Sequence, residues 1–126
     1  MAVAAVQRDD EPEHRNEVHL VGRLAGEPVS RDLPSGDVVV AFRLVVDRPP
    51  QPQARSTGRR VPSVDTLECA AWRRGVQRSL AGCEPGDLVE VEGALRRRFW
   101  RSPGGPASRS EVEAVRVRRI RRAPPG

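Results

Sequence analysis

The sequence predicts an all-β chain: five strands in the order of a Greek-key barrel, with one short helix between the third and fourth strands. Three observations lead there. Apolar and polar residues alternate with period two over several short runs, as half-buried strands require. Turn signals rich in Pro and Gly separate those runs. The one helical spacing, Val76 and Leu80 at i and i+4, falls between the third and fourth runs.

With 126 residues the chain has room for one domain. Aromatic residues are only 3% of it, so the core has to be built from Val, Leu and Ala. Met1–Arg15 is polar and acidic after a short Ala/Val start, and reads as a disordered leader. Asn16–Leu24 then alternates, with Val18, Leu20 and Leu24 on one side and Glu17, His19 and Arg23 on the other. Leu33-Pro34-Ser35-Gly36-Asp37 is a turn, because Pro presets one dihedral and Gly admits positive φ. Val38–Asp47 is the second strand, with Val40, Phe42, Leu44 and Val46 on one face.

Arg48–Ser63 holds four prolines among Gln, Arg, Ser and Gly and reads as a long mobile loop. Thr66–Trp72 is the third strand, placing Leu67, Cys69 and Ala71 opposite Glu68, Ala70 and Trp72. Arg74–Ala81 gives two helical turns, stopped by Glu84-Pro85-Gly86-Asp87. Leu88–Trp100 is a long fourth strand, Pro103-Gly104-Gly105-Pro106 a hairpin tip, and Glu111–Ile120 the fifth strand. The expected domain is 16–121, followed by a short basic tail over 122–126. This order of elements is that of an OB-fold, a partly open Greek-key barrel. An SH3-like barrel is the rival, but it has no helix at that point.

The net charge is +5, and all 22 basic residues are Arg. A GC-rich coding genome accounts for the missing Lys. The distribution of charge is more informative. Met1–Trp72 holds 9 Arg against 11 acids, and Arg73–Gly126 holds 13 Arg against 6, so the basic character lies in the second half. An acidic partner is the natural complement. The sharpest local feature is the arm Ala94–Arg101. If Val89, Val91 and Leu95 face the core, period two puts Arg96, Arg98 and Trp100 together on the opposite face. That set suits a single nucleic-acid strand, with arginines tracking phosphates while a base stacks on the indole. The plainer reading is a solvated strand end whose Trp packs on a partner subunit. Trp72 is either a second stacking platform or a cover for the helix that follows it.

Catalysis finds no support. His14 lies in the leader and His19 stands alone, and no carboxylate pair, Ser/His arrangement or metal-spaced cluster occurs, so neither cofactor nor metal is expected. Cys69 has core parity, and neither it nor Cys83 has ligand spacing. With no leader of secretory type and no apolar run near a membrane span, a cytoplasmic protein with reduced thiols is expected.

From Asn16 to Ile120 the chain resembles the bacterial single-stranded DNA-binding protein family. The blocks that carry the resemblance are Asn16–Leu24, Glu27-Pro28 with Arg31 and Leu33–Gly36, Phe42–Val46, Ala71-Trp72, Gly86–Gly93 and Glu111–Ala114, in the family's order. Each alone is weak, but together in register they are specific. The resemblance implies an OB-fold that binds single-stranded DNA without sequence preference, in replication, repair or recombination. It also implies a homo-oligomer, dimer or tetramer, through Asn16–Leu24.

Trp100 matches a family stacking tryptophan, Arg96 and Arg98 match basic contacts, and Trp72 matches a position of aromatic stacking. Arg43 and Arg73 complete the candidate DNA contacts. The chain departs from the pattern at Thr66, where one branch has tryptophan, at Glu68, where it has a basic residue, and near Pro50, where it has a loop tryptophan. The family's acidic tip has no counterpart in Arg121–Gly126, so recruitment of partners by that route is not expected. These departures suggest an accessory member. They keep a second reading open, a protein-interaction module like the primosomal proteins, with weak DNA binding. An OB-fold nuclease is a third and weaker alternative.

Overall fold

Alternation along the strands turns every second side chain toward one interior, and that interior is apolar. The computed structural model describes residues 11–50 and 62–125. Most of the expected leader (1–10) and of the expected mobile loop (51–61) lies outside them. The elements are β1 Val18–Leu24, β2 Val29–Asp32, β3 Val38–Asp47, β4 Val64–Ala71, α1 Arg74–Ala81, β5 Leu88–Ser102 and β6 Gly105–Arg121.

Five strands close a ring in the order β1-β5-β6-β4-β3, with β3 returning to β1 through Arg23↔Val45 and Leu24↔Leu44. All pairings are antiparallel except β4 with β6, which run parallel through Cys69↔Val112, Ala70↔Glu113 and Ala71↔Ala114. The fold is the expected OB barrel with one helix between β4 and β5. The core joins Leu24, Phe42, Leu44, Cys69, Ala71, Val89, Val91 and Val112, and α1 caps it with Val76 and Leu80. The parity read for the second strand holds: Phe42 and Leu44 are buried, and Val40 and Val46 pack against them. Both cysteines are buried and free, and burial pushes the Cys69 thiol up to about 12, so it stays neutral.

Three expectations need correction. A short strand, β2, lies just before the expected turn Leu33–Asp37, where no element was expected, and forms a hairpin through that turn with β3 (Val29↔Ala41 to Asp32↔Val38) outside the five-strand ring. All four of its residues are exposed, so it has no apolar alternation to announce it. The hairpin strands run further than expected, to Ser102 and from Gly105, because backbone pairing continues to the tip without any core beneath it. Leu95 is not a core residue; it is 49% exposed. The β1–β5 ladder ends at Val18↔Gly93, so beyond that point β5 has left the barrel.

Gly93 marks the exit. The β5–β6 register shifts between Glu92 and Gly93, and a Cβ at Gly93 would run into the Glu113 carbonyl. At the opposite end, the buried Asp87 carboxylate accepts the N–H groups of Glu84 (2.9 Å) and Ala123 (2.7 Å). These bonds, and Arg119 beside them, hold its carboxyl below the usual carboxylate range. They tie the chain after β6 to the α1–β5 turn. No helix among the described residues is long and apolar enough to cross a membrane.

Candidate nucleic-acid interface

Beyond Gly93 β5 pairs with β6 alone, and once β6 leaves β4 at Val112 the two form a two-stranded ribbon, running from Arg96↔Glu111 to Ser102↔Gly105 around a Pro103-Gly104 tip. Residues directly opposite in an antiparallel pair share a face. One face, here the front, therefore carries Arg96, Arg98 and Trp100 from β5 with Glu111, Arg109 and Ala107 from β6. The three residues expected to share a face do so.

The barrel supplies the rest of the front face. Trp72 follows β4 and is half-buried, and the Arg98 guanidinium lies over its ring, 5.6 Å from the centroid. Gln77 of α1 holds that strand end, donating to the carbonyls of Ala71 (3.0 Å) and Val38 (2.9 Å). Trp72 thus belongs to the Arg98 cluster. Arg109 in turn lies over Trp100 at 5.9 Å.

Arg43 stands on β3 opposite Glu68 and pairs with it at 3.2 Å. It lines an open groove of about 360 Å³ together with Arg31, Glu68 and Arg109. A neighbouring groove of about 300 Å³ is lined by Arg31, Arg98, Phe99, Trp100 and Arg109. The two share Arg31 and Arg109, and make one path from β3 to the ribbon tip. Arg73, also a candidate, sits at the N-cap position of α1 and lines neither groove.

Sequence reading missed Arg31, Arg109 and Phe99. Arg31 lies on the unanticipated β2. Arg109 lay in the expected loop before the fifth strand; pairing carried to the Pro103-Gly104 tip would have placed it opposite Arg98. Phe99 has the parity of the ribbon's other face.

Carboxylates are interleaved with these cations. Arg96 pairs with Glu113 and Arg98 with the buried Glu111, both at 3.2 Å, and Arg109 approaches Glu111 at 3.9 Å. The part-exposed pairs Arg43–Glu68 and Arg96–Glu113 are worth at most about 1 kcal/mol, whereas the buried Glu111 would be costly to leave without its arginines. A phosphate can replace Glu68 or Glu113 at modest cost and can share Arg98 and Arg109 with Glu111, and the five arginines outnumber these three acids. The arrangement offers aromatic faces within a cationic track, the combination that holds an unpaired strand.

The profile of the single-strand binding protein family matches residues 15–120. The chain belongs to this family. A single-stranded DNA-binding protein of Thermotoga maritima is 34% identical over 110 residues, 86% of this chain and 76% of the relative. One from Aquifex aeolicus is 33% identical over 107 residues, 85% of this chain and 71% of the relative. Single-stranded DNA-binding protein A of Bacillus subtilis is 34% identical over 90 residues, which span only 49% of it. A solved structure, described as the Plasmodium falciparum SSB complex with single-stranded DNA, superposes with a TM-score of 0.66. At 20% identity over 85% of this chain and 94% of that one, it supports the OB-fold.

Proposed function

We propose that this family member binds single-stranded DNA without sequence preference along the path from Arg43 to Trp100. The observation that carries the reading is the cluster of Arg98 over Trp72 beside Trp100 and Arg109, at the end of a groove holding Arg31. Arg96, Arg98, Arg109, Arg31 and Arg43 contact phosphates, and Trp100 and Trp72 stack bases; Arg73 extends the track past Trp72. The role is in DNA replication, repair or recombination in the cytoplasm, as a binding protein and not an enzyme, on a domain of residues 16–121. The family match over residues 15–120 supports the DNA-binding role.

Titration with oligo-dT is expected to quench tryptophan fluorescence. Affinity should fall with salt by roughly 0.7 log units per contacted phosphate per decade. No quenching at low salt would rule the reading out. Oligo-U run in parallel distinguishes DNA from RNA preference.

The interleaving of Glu68, Glu111 and Glu113 among the cations favours a second reading, a protein-interaction module. DNA affinity weaker than about 10⁻⁵ M, the weak end of non-specific binding, with retention of a replication protein in pull-down, would select it. We also propose a homo-oligomer through Asn16–Leu24. Among the described residues, Val18–Gly22 are paired on the β5 side alone, and Val21 is 45% exposed. A monomeric mass by light scattering at micromolar concentration would contradict this.

A further inference from the structure

The ribbon has a second face, and its chemistry differs from that of the front. Leu95, Arg97, Phe99 and Arg101 of β5 lie opposite Val112, Ser110, Ser108 and Pro106 of β6. Phe99 is 75% exposed, the most exposed large apolar side chain among the described residues. The Arg97 guanidinium lies 5.9 Å from its ring centroid. Arg97 is held in place by neutral groups, donating to the hydroxyls of Ser110 (3.1 Å) and Ser108 (2.6 Å). Among the described residues no carboxylate neutralises it, in contrast to Arg96 and Arg98 on the front. From Ala94 to Ser110 the sequence has five Arg and no acid.

An exposed ring stacked with an acid-free guanidinium suits a base and a phosphate better than it suits a protein surface. Two-stranded ribbons twist strongly, which brings opposite faces toward a common edge. That edge is visible here, since the groove of Arg31 and Arg109 is lined by both Trp100 and Phe99.

We propose that the reverse face of the ribbon is a second contact for single-stranded DNA. Phe99 is its base platform, Arg97 and Arg101 are its phosphate contacts, and a strand lying on the front face continues onto it around the ribbon edge. This rests on the function proposed above and adds a site to it.

The test compares wild type, Phe99→Ala and Arg97→Ala/Arg101→Ala on oligo-dT of about 6 and about 20 nucleotides; one OB barrel spans roughly 4–16. Phe99→Ala should weaken binding of the longer strand by about tenfold, within the range for one stacked base. The loss should shrink on the hexamer. The double variant should lower the salt slope on the longer strand by about 1.4, from two phosphates at roughly 0.7 each. Ultraviolet cross-linking of the longer oligo-dT should label the peptide at Phe99. Unaltered melting temperatures check that the variants fold. If wild type binds both strands and Phe99→Ala matches it on both, this inference fails and the proposed function stands. If Phe99→Ala instead abolishes self-association with DNA binding unchanged, the face docks a second copy and the inference again fails. If wild type binds neither strand, both readings fall.

Discussion

The barrel and the ribbon are built from the same two strands, β5 and β6, yet different forces hold them. Inside the barrel, Leu44, Val89 and Val91 are fully buried, and the outer charges are paired with one another. Glu90 bridges His19 (2.6 Å) and Arg118 (2.8 Å), Arg116 reaches Glu92, and Arg48 clamps Asp65 with two hydrogen bonds (3.0 and 2.7 Å). Past Val112, the last core residue of β6 before the tip, there is no apolar interior. The ribbon stands on its backbone ladder, exposes Leu95, Phe99 and Trp100, and becomes free of acids toward its tip. Stability therefore resides in one half of each strand, and the chemistry for binding in the other.

The largest expected effect tests the barrel. Leu44→Ala should cost roughly 2–5 kcal/mol by urea denaturation, as for other buried leucines. Trp100→Ala should cost no more than about 0.5 kcal/mol, like most surface changes. A comparable loss from Trp100→Ala would mean that the ribbon is part of the core.

The next effect tests the ribbon. Trp100→Ala should weaken oligo-dT binding by about 10- to 100-fold, the loss of one good stacking contact. Trp72→Ala should weaken it less, because Arg98 already covers one side of that ring. Equal and negligible changes in the two titrations would refute this ranking.

The smallest effect concerns acid. Asp65, Asp87 and Glu90 are held below the usual carboxylate range, by hydrogen bonds from Arg48, from the Glu84 and Ala123 backbone, and from His19 with Arg118, respectively. All three lie on the barrel. A carboxylate that ionises more readily in the folded state stabilises the fold above its unfolded pKa, near 4, and loses that contribution as pH falls through the lower folded value. Thermal melts should be level from pH 7 to about 5 and fall below it, more gently in Asp87→Asn. An identical acid limb in that variant would remove Asp87 from the account.

The barrel was largely legible in the sequence. The second strand was read with the observed bounds, as was α1, because both have strong apolar periodicity and clear stops. Elements without buried faces were read poorly. β2 was not read as an element, and the ribbon was cut short at both strands, since exposed strands lack the alternation that marks half-buried ones. Of the candidate contacts, Arg96, Arg98 and Trp100 were placed correctly on one face by parity alone. Arg43 joined their path through Arg31 and Arg109, which parity did not single out.

Local patterning determined which side chains turn inward, where the basic charge collects, and that Arg96, Arg98 and Trp100 point the same way. A strand's two-residue period settles direction within one element. Only the tertiary structure decided that Arg98 covers Trp72, that Arg31 and Arg109 line the same grooves, and that Leu95 escapes the core. Those outcomes depend on how the barrel closes, on the register shift at Gly93 and on the twist of the ribbon, which are pairings between distant segments that no local window contains.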